Sequence, residues 1–208
     1  MINKFIWPDD MHLQGIVILA AGASTRLGKP KQLLQYKGNS LIQHIAQIAV
    51  SVVHGPVVVV TGAHAGLITL QLSGLPVQPV YNPYWNSGIG SSIRKGLQAA
   101  LDLSPELEEV IFAVCDQPHI SPGLFRDMIN ARVKSKKQIV ACAYGNTLGT
   151  PVLFSKHYFV ELLQLKNDEG ARKLILQHAS SVEAVPFPMG NVDIDTLQDY
   201  IALSSNTP

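Results

Sequence analysis

The chain has 208 residues, of which 47% are hydrophobic and 15% are charged, and its formal net charge at pH 7 is +1. This composition provides a hydrophobic core and argues against disorder, and the balanced charge gives no general attraction to nucleic acid or to a membrane surface. Cys115 and Cys142 each lie in an apolar run, which indicates buried thiols in a reducing compartment. We therefore expect one cytoplasmic domain over residues 1–208, with residues 1–14 as a lead-in and with no signal peptide or membrane span.

Short apolar runs alternate with amphipathic segments along the chain. The pattern predicts strands at residues 15–21, 56–60, 77–81, 110–115, 138–143, 151–154 and 182–186. It predicts helices at residues 41–52, 65–72, 125–133, 157–165 and 169–178, one that opens within 85–92 and ends near 101, and a last one that ends near 203. Ser40 is the expected N-cap of the first helix. The alternation indicates an α/β fold with three αβα layers around a mostly parallel, Rossmann-like sheet.

The first predicted strand leads into a loop rich in glycine and cations, Gly22-Ala-Ser-Thr-Arg-Leu-Gly-Lys-Pro-Lys31. Open α/β sheets bind ligands at the carboxyl ends of their strands, and glycine lets backbone N–H groups approach an anion closely. Arg26 and Lys31 add full positive charges, so a phosphate chain is the expected ligand. The spacing fits neither the P-loop nor the G-x-G-x-x-G dinucleotide motif. A glycine-rich turn with exposed cations is the alternative interpretation.

A second glycine-rich segment, Gly88-Ile-Gly-Ser-Ser92, opens the helix that is predicted to end near residue 101. It follows Asn82-Pro83, which ends the third predicted strand because proline cannot continue a central strand. The start of a helix presents unpaired N–H groups and the positive end of the helix dipole, so this segment also suits an anion.

Acidic residues stand at the ends of two predicted elements. Asp116 ends the strand 110–115, and a carboxylate beside a triphosphate site is best explained as a ligand of Mg2+. The alternative is an Asp-x-Pro turn closed by Pro118. Asp193 is the second candidate ligand, since Mg2+ usually takes one or two protein carboxylates. Asp195 and Thr196 are interpreted as a cap of the last helix, and capping would equally explain the whole stretch from 193 to 196.

Taken together, these motifs resemble those of the molybdenum-cofactor nucleotidyltransferases, which are MobA-like NTP transferases with the nucleotide-diphospho-sugar transferase fold. The cytidylyltransferase branch is the most similar. The resemblance spans residues 15–200 and rests on ordered blocks at Leu19 to Lys31, Thr61-Gly62, Asn82 to Ser92, Asp116-Gln117-Pro118, Gly149 to Phe154, Asp168 to Arg172 and Asp193 to Thr196. Thr150 and Asn167 stand where histidine and glycine are common in related enzymes, which leaves the identity of the acceptor open.

The resemblance implies an enzyme that transfers CMP from CTP to the phosphate of molybdopterin or molybdenum cofactor, with Mg2+ as cofactor. The acceptor would attack the α-phosphate in line, and pyrophosphate would leave. The implied catalytic residues are Arg26, Lys31 and Asp116, and the implied metal ligands are Asp116 and Asp193. The implied nucleotide-binding residues are Leu19, Ala20, Ala21, Gly22, Ala23, Ser24, Arg26, Lys31, Thr61, Gly62, Asn82, Gly88, Ser91, Ser92 and Asp116. The implied acceptor-binding residues are Gln117, Pro118, Gly149, Thr150, Pro151, Asp168 and Arg172.

Three other functions stay open at this point. A guanylyltransferase would perform the same chemistry with GTP, a related transferase would act on a sugar phosphate or another small phosphate, and a non-catalytic protein would bind a nucleotide or a pterin. The chain has no basic stripe or recognised nucleic-acid motif, so nucleic acid is not an expected partner, and neither is a membrane. A molybdoenzyme or its chaperone is the protein partner that such a product would suit. The base and the oligomeric state do not follow from the sequence.

Overall fold

The computed structural model describes residues 12–205, with side chains as far as residue 203. Its strands are β1 (Gln14–Ala20), β2 (Gln35–Tyr36), β3 (Asn39–Ser40), β4 (Val57–Thr61), β5 (Gln78–Tyr81), β6 (Glu109–Val114), β7 (Ile139–Tyr144), β8 (Thr147–Ser155) and β9 (Val182–Pro186). Its α-helices are α1 (Leu41–Val50), α2 (Ala65–Gln71), α3 (Ile89–Leu103), α4 (Pro122–Ser135), α5 (Phe159–Leu163), α6 (Ala171–Gln177) and α7 (Leu197–Ser205). None of the helices in this part of the chain is long and apolar enough to cross a membrane. Most of the predicted lead-in, residues 1–11, lies outside the described residues.

Seven strands form one sheet in the order β5-β4-β1-β6-β8-β7-β9. Neighbouring strands are parallel except at β8, which runs antiparallel to both β6 and β7. The carboxyl ends of the six parallel strands therefore meet at one edge, together with the amino end of β8. The predicted α/β fold with a mostly parallel sheet is confirmed, and this edge is where ligands bind in open sheets of this kind.

Helices cover both faces of the sheet because alternate strand residues point to opposite sides. Ile16 and Ile18 of β1 pack in a core with α1, α2 and α4, whereas Val17 and Leu19 pack in a second core with α3, α5 and α6. The predicted N-cap Ser40 begins α1 with a capping box, since its hydroxyl accepts from the N–H group of Gln43 and the Gln43 side chain accepts from the Ser40 N–H group. The three predicted layers are thus present.

Two parts of the structure differ from the predicted elements. A small antiparallel ribbon of β2 and β3 turns at Lys37 and Gly38, both with positive φ, and was not predicted. Strand β8 begins at Thr147 rather than at 151, because it continues from β7 through a tight hairpin at Gly145. Pro151 is accommodated at the irregularity where the register between β7 and β8 shifts.

Candidate active site

The loop after β1 folds back on itself at a serine and a glycine. Ser24 and Gly28 have positive φ angles of 54° and 74°. The N–H groups of Leu27 and Gly28 donate to the Ser24 carbonyl at 3.1 and 3.2 Å. The Ser24 hydroxyl accepts from the N–H group of Lys31 at 3.1 Å. The turn that carries Arg26 is therefore closed at Ser24, and the Ser24 hydroxyl also ties this turn to Lys31.

The buried side chain of Gln32 holds the start of this loop by hydrogen bonds to its backbone. Its side chain is 1% exposed, and its Nε2 donates to the carbonyl oxygens of Ala20 at 3.0 Å and Gly22 at 2.9 Å. Two carbonyl groups that would repel a phosphate are thereby hydrogen-bonded to the Gln32 amide. Sequence reasoning missed Gln32, and its position directly after Lys31 is the one local signal for this role.

The end of β4 supports the same loop from the side. The N–H group of Ala63 donates to the Ala21 carbonyl at 3.1 Å. A Cβ atom at Gly62 would collide with that carbonyl oxygen and with the Trp85 ring, so glycine permits the close approach. Thr61 is 1% exposed at the end of β4. The predicted pair Thr61 and Gly62 thus lies beside the loop, packed against its backbone.

Lys31 lies between two carboxylates. Its ammonium group forms ion pairs with Asp116 Oδ2 and, at 3.0 Å, with Asp195 Oδ1. Burial opposes the charge on this group, but the two carboxylates outweigh it and raise the pKa of Lys31 above its ordinary value. Arg26, whose side chain is 74% exposed, contacts Asp195 Oδ2 at 2.8 Å. Both predicted cations therefore reach one small cavity of about 160 Å3, which the loop also lines.

Asp116 keeps one oxygen atom unpaired. Its Oδ1 is buried and has no hydrogen-bond partner among the described residues. Asp193 lies close by, since the N–H group of Ile194 donates to the Asp116 carbonyl at 3.1 Å. Partial burial, followed by the charges of Asp116 and Asp195, raises the pKa of Asp193 to about 6. An unpaired buried carboxylate oxygen beside mutually repelling carboxylates fits a divalent cation.

Protein side chains alone would not complete such a cation site. Within residues 12–205, no three Asp, Glu, His or Cys side chains converge closely enough to hold a metal ion. Mg2+ commonly keeps several waters and binds one or two carboxylates together with substrate phosphates. The pair Asp116 and Asp193 would therefore hold the cation jointly with a bound nucleotide.

The prediction for Asp195 is wrong, whereas that for Thr196 is confirmed. The Thr196 hydroxyl accepts from the N–H group of Asp199 at 3.3 Å at the start of α7, and Asp199 Oδ2 accepts from the N–H groups of Thr196 and Asp195 at 2.7 and 3.1 Å. The Asp195 side chain points away from this cap to Arg26 and Lys31. No local pattern distinguishes the two roles, because the partners of Asp195 lie more than a hundred residues earlier.

Asn82, Ser91 and Ser92 come together as predicted, at the start of α3. All three are buried, and the Asn82 amide donates to the hydroxyl oxygens of Ser91 at 2.9 Å and Ser92 at 3.0 Å. Their side chains thus join the end of β5 to α3 beside the loop. Contact between these three side chains and a nucleotide stays a prediction.

The start of α3 is less open than predicted. The N–H group of Gly90 donates to the Asn167 carbonyl at 2.9 Å, so it is not free for an anion. Gly88 has a φ of 126°, and a Cβ atom there would collide with the same carbonyl. The segment 166–169 therefore crosses the helix start and occupies part of the expected anion site.

Three predicted acceptor residues line a second cavity of about 320 Å3. Gly149 and Thr150 form one wall from β8, and Arg172 forms another from α6. Leu19, at the end of β1, lines the same cavity. The cavity therefore begins directly beside the residue that leads into the phosphate loop.

The other predicted acceptor residues do not line this cavity. Gln117 and Pro118 are buried, and the Gln117 amide donates to the Gly190 carbonyl at 2.7 Å. Pro151 is buried within β8. Asp168 is exposed on the segment that crosses α3. The Gln117 side chain thus holds the backbone at Gly190, and contact between Gln117 and an acceptor stays a prediction.

Comparison with known proteins places this site in a family. The pattern described as the MobA-like NTP transferase domain matches residues 16–182. Nicotine blue oxidoreductase from Paenarthrobacter nicotinovorans is 38% identical over 198 residues, which cover 90% of this chain and 94% of that protein. A probable molybdenum cofactor guanylyltransferase from Bacillus cereus (strain Q1) is 27% identical over 140 residues, which cover 62% of this chain and 67% of that protein.

A solved structure with the same fold covers nearly the whole chain. Rv0371c from Mycobacterium tuberculosis H37Rv has a TM-score of 0.80 at 26% identity, over 94% of this chain and 99% of its own. The same protein in complex with manganese has a TM-score of 0.72 at 27% identity, over 94% and 100% of the two chains. The family pattern, the relatives and the fold agree, and the chain belongs to the MobA-like NTP transferase domain family of nucleotidyltransferases.

Proposed function

We propose that this protein transfers a nucleotidyl group from a nucleoside triphosphate, with CTP as the expected donor, to the phosphate of molybdopterin or molybdenum cofactor. One observation carries this proposal. Lys31, a partly buried cation at the end of a phosphate-type loop, is paired with Asp116, whose second carboxylate oxygen has no partner among the described residues. That combination supports binding of a triphosphate together with a divalent cation, for which we expect Mg2+. We further propose that residues 1–208 act as one cytoplasmic domain.

Charge repulsion is the main obstacle to this reaction, because both reactants are anions. An oxygen atom of the acceptor phosphate attacks the α-phosphorus of the nucleotide, the bond from that phosphorus to the bridging oxygen breaks, and pyrophosphate leaves with its electron pair. Since the acceptor is already ionised, no general base is required. Lys31 and Arg26 would neutralise the phosphates and hold them in line.

A divalent cation would supply positive charge where negative charge develops on the leaving pyrophosphate. Asp116 and Asp193 are the residues that would hold it. The Asp195 carboxylate forms ion pairs with both Arg26 and Lys31. We therefore expect the phosphates of the nucleotide to replace the Asp195 carboxylate as the partner of Arg26. Arg26 is the more exposed of these two cations.

The choice of CTP rests on the resemblance of the loop from Leu19 to Lys31 to the cytidylyltransferase branch. The Bacillus cereus relative carries the name of a guanylyltransferase, so GTP is the direct alternative. A different small phosphate as acceptor is a further alternative. A molybdoenzyme or its chaperone would receive the product.

Reduction is a second candidate activity, because the relative of 38% identity from Paenarthrobacter nicotinovorans is named an oxidoreductase. The same loop could hold the diphosphate of a nicotinamide dinucleotide. Against this, the three carboxylates of Asp116, Asp193 and Asp195 would repel a diphosphate that brings no cation. The acidic cluster thus favours transfer over reduction.

The test is pyrophosphate release from CTP, GTP and ATP with molybdopterin as acceptor, with Mg2+ or Mn2+, and with Asp116→Asn as the variant. Asp127→Asn is the matched control, because it makes the same substitution at an exposed carboxylate on α4 that lines none of the described cavities. We expect release with CTP that disappears in Asp116→Asn and persists in Asp127→Asn. Pyrophosphate release with GTP alone would support the same mechanism with GTP as the nucleotide donor.

Two further results would overturn the proposal. Oxidation of NADH or NADPH with a quinone-type acceptor, in the absence of any pyrophosphate release, would establish the reductase instead. Tight nucleotide or pterin binding without turnover, unchanged in Asp116→Asn, would establish a non-catalytic binding protein.

A further inference from the structure

The carbonyl oxygen atoms of residues 20–24, at the start of the phosphate loop, all accept hydrogen bonds. Four of these oxygen atoms accept from Gln32, Ala63, Leu27 and Gly28. The remaining oxygen atom belongs to Ala23 and lies 3.2 Å from Nε2 of His64. A carbonyl oxygen can only accept, so Nε2 of His64 carries the proton and donates it to this bond. The start of the loop therefore has no carbonyl group without a donor.

The N–H groups of the same segment have no such partners. Within residues 12–205, the N–H groups of residues 22–26 donate no hydrogen bonds. A trans peptide group is planar, and its C=O and N–H bonds point in opposite directions. The donors that hold the carbonyl groups inside the protein therefore turn the next N–H groups outward. Gly22, Ser24 and Thr25 also line the 160 Å3 cavity that Arg26 and Lys31 reach.

The His64 side chain is free to reach the loop because only its backbone takes part in α2. His64 is the N-cap residue of α2, and its carbonyl accepts from the N–H group of Ile68 at 3.0 Å. Its ring makes no capping hydrogen bond to the helix. Since β4 ends at Thr61, the bond from His64 to Ala23 joins the segment after β4 to the loop after β1. No prediction from the sequence included His64.

We propose that His64 is a positioning residue of the phosphate site, which directs the Ser24 N–H group to the phosphates of the nucleotide by holding the Ala23 carbonyl group. This inference rests on the proposed function, because it treats the loop as the site of those phosphates. His64 acts through the peptide group between Ala23 and Ser24 and does not contact the reacting atoms. Without the ring, this peptide group can rotate and turn its carbonyl oxygen toward the phosphates.

The loss of this hydrogen bond should affect binding more than folding. Ala23 is only half-buried, so water can replace the His64 donor at its carbonyl oxygen. Water does not fix the direction of the peptide group, however. We therefore expect His64→Leu to lower the Tm by no more than about 2–4 °C while it weakens the binding of phosphates.

The first test is equilibrium binding without turnover, measured by isothermal titration calorimetry in the presence of Mg2+. Inorganic triphosphate is the probe that lacks a base, and CTP and GTP are the probes that carry one. We expect His64→Leu to weaken the binding of all three about tenfold, because the loss lies at the phosphates. His64→Gln should bind them within about threefold of the wild type, since its amide can donate in place of Nε2.

His157→Leu is the matched control for these measurements. His157 is exposed just before α5 and lines neither of the two cavities of the proposed site. The same substitution at this position should leave the three affinities unchanged.

The second test separates the nucleotide from the acceptor in the complete reaction. His64→Leu should raise the KM for the nucleotide about tenfold and leave the KM for the acceptor within twofold. His64→Gln should restore most of the loss. A change that only reflects a damaged fold would raise both KM values and would not be reversed by glutamine.

Several outcomes would overturn the role of His64. These are a wild-type protein that does not bind inorganic triphosphate, unchanged triphosphate binding in His64→Leu, an equal loss in His157→Leu, or a folded His64→Gln protein that binds as weakly as His64→Leu. Weaker binding of CTP or GTP alone would instead place the ring at the base. If the wild type releases no pyrophosphate with any acceptor but its triphosphate binding depends on His64, the transferase proposal fails while the role of His64 stands.

Discussion

Replacing Gln32 by leucine tests whether the phosphate loop depends on the side chain beneath it. Leucine has a similar volume but no donor, so the carbonyl oxygens of Ala20 and Gly22 each lose a hydrogen bond. Gly22 is exposed and water can replace the lost donor, whereas Ala20 is 2% exposed and its carbonyl loses the side-chain donor without access to solvent. One buried acceptor deprived of a donor costs about 1–3 kcal/mol.

The expected result is a loss of about 1–3 kcal/mol in the free energy of unfolding and an increase of about tenfold in the KM for the nucleotide. Urea denaturation followed by circular dichroism measures the first quantity, and initial rates of pyrophosphate release measure the second. Gln98→Leu is the control, because Gln98 is exposed on α3 and donates to Asp102 at the protein surface. A Gln32→Leu protein with unchanged stability and a nucleotide KM within twofold of the wild type would refute the reasoning.

Three further predictions concern other parts of the fold. Arg132→Met removes the ion-pair partner of Glu109, a residue that is 1% exposed and whose carboxylate lies 3.2 Å from Arg132. The Gln14 amide remains as a neutral donor to Glu109. The substitution should lower the free energy of unfolding in urea by about 3–5 kcal/mol, and recovery in the double variant with Glu109→Leu checks the cause. Burial and neighbouring carboxylates raise the pKa of Asp193 from 3.8 to about 6, so ionisation of Asp193 destabilises the fold progressively as the pH rises through that interval. Asp193→Asn should therefore raise the Tm at about pH 7.5 and change it little at about pH 4. An equal shift at both pH values would contradict this. Gly96→Ala places a methyl group against Val17 and Val60 and should lower the free energy of unfolding by about 1–3 kcal/mol. Calorimetry measures this change, and an unchanged stability would show that α3 can move away from the sheet.

The parts of the structure that followed from the sequence are those with local causes. Continuous apolar runs predict the buried strands, and Ser40 predicts the start of α1. The loop to Lys31 was recognisable because glycine and cations follow a strand within a few residues. Asp116 was recognisable because a carboxylate directly after a buried strand demands a partner.

The parts that did not follow depend on contacts between distant segments. Asp195 pairs with Lys31 across 164 positions, and nothing near Asp195 in the sequence indicates this. The hairpin at Gly145 extends β8 beyond its apolar run, so the early residues of that strand resemble a loop. Tyr144 gains its position from Gly149 and Gly190, and the second of these is brought near it by β9 and Gln117.

Because β8 runs antiparallel to β6 and β7, the two sides of the sheet tolerate insertions and deletions differently. On the side of β5, β4 and β1, the segments at the binding edge lead to α3, to α2 and, through the ribbon of β2 and β3, to α1. Gln32 holds the loop that follows β1. On the other side, one wall of the second cavity is formed by β8, which a hairpin joins to β7. The tip of that hairpin, Gly145-Asn146, is exposed. Residues inserted or deleted at that tip would shift Tyr144 and Gly149 without touching the loop around Lys31. Under the proposed function, a change in this two-residue turn would alter the second cavity and leave the loop around Lys31 in place.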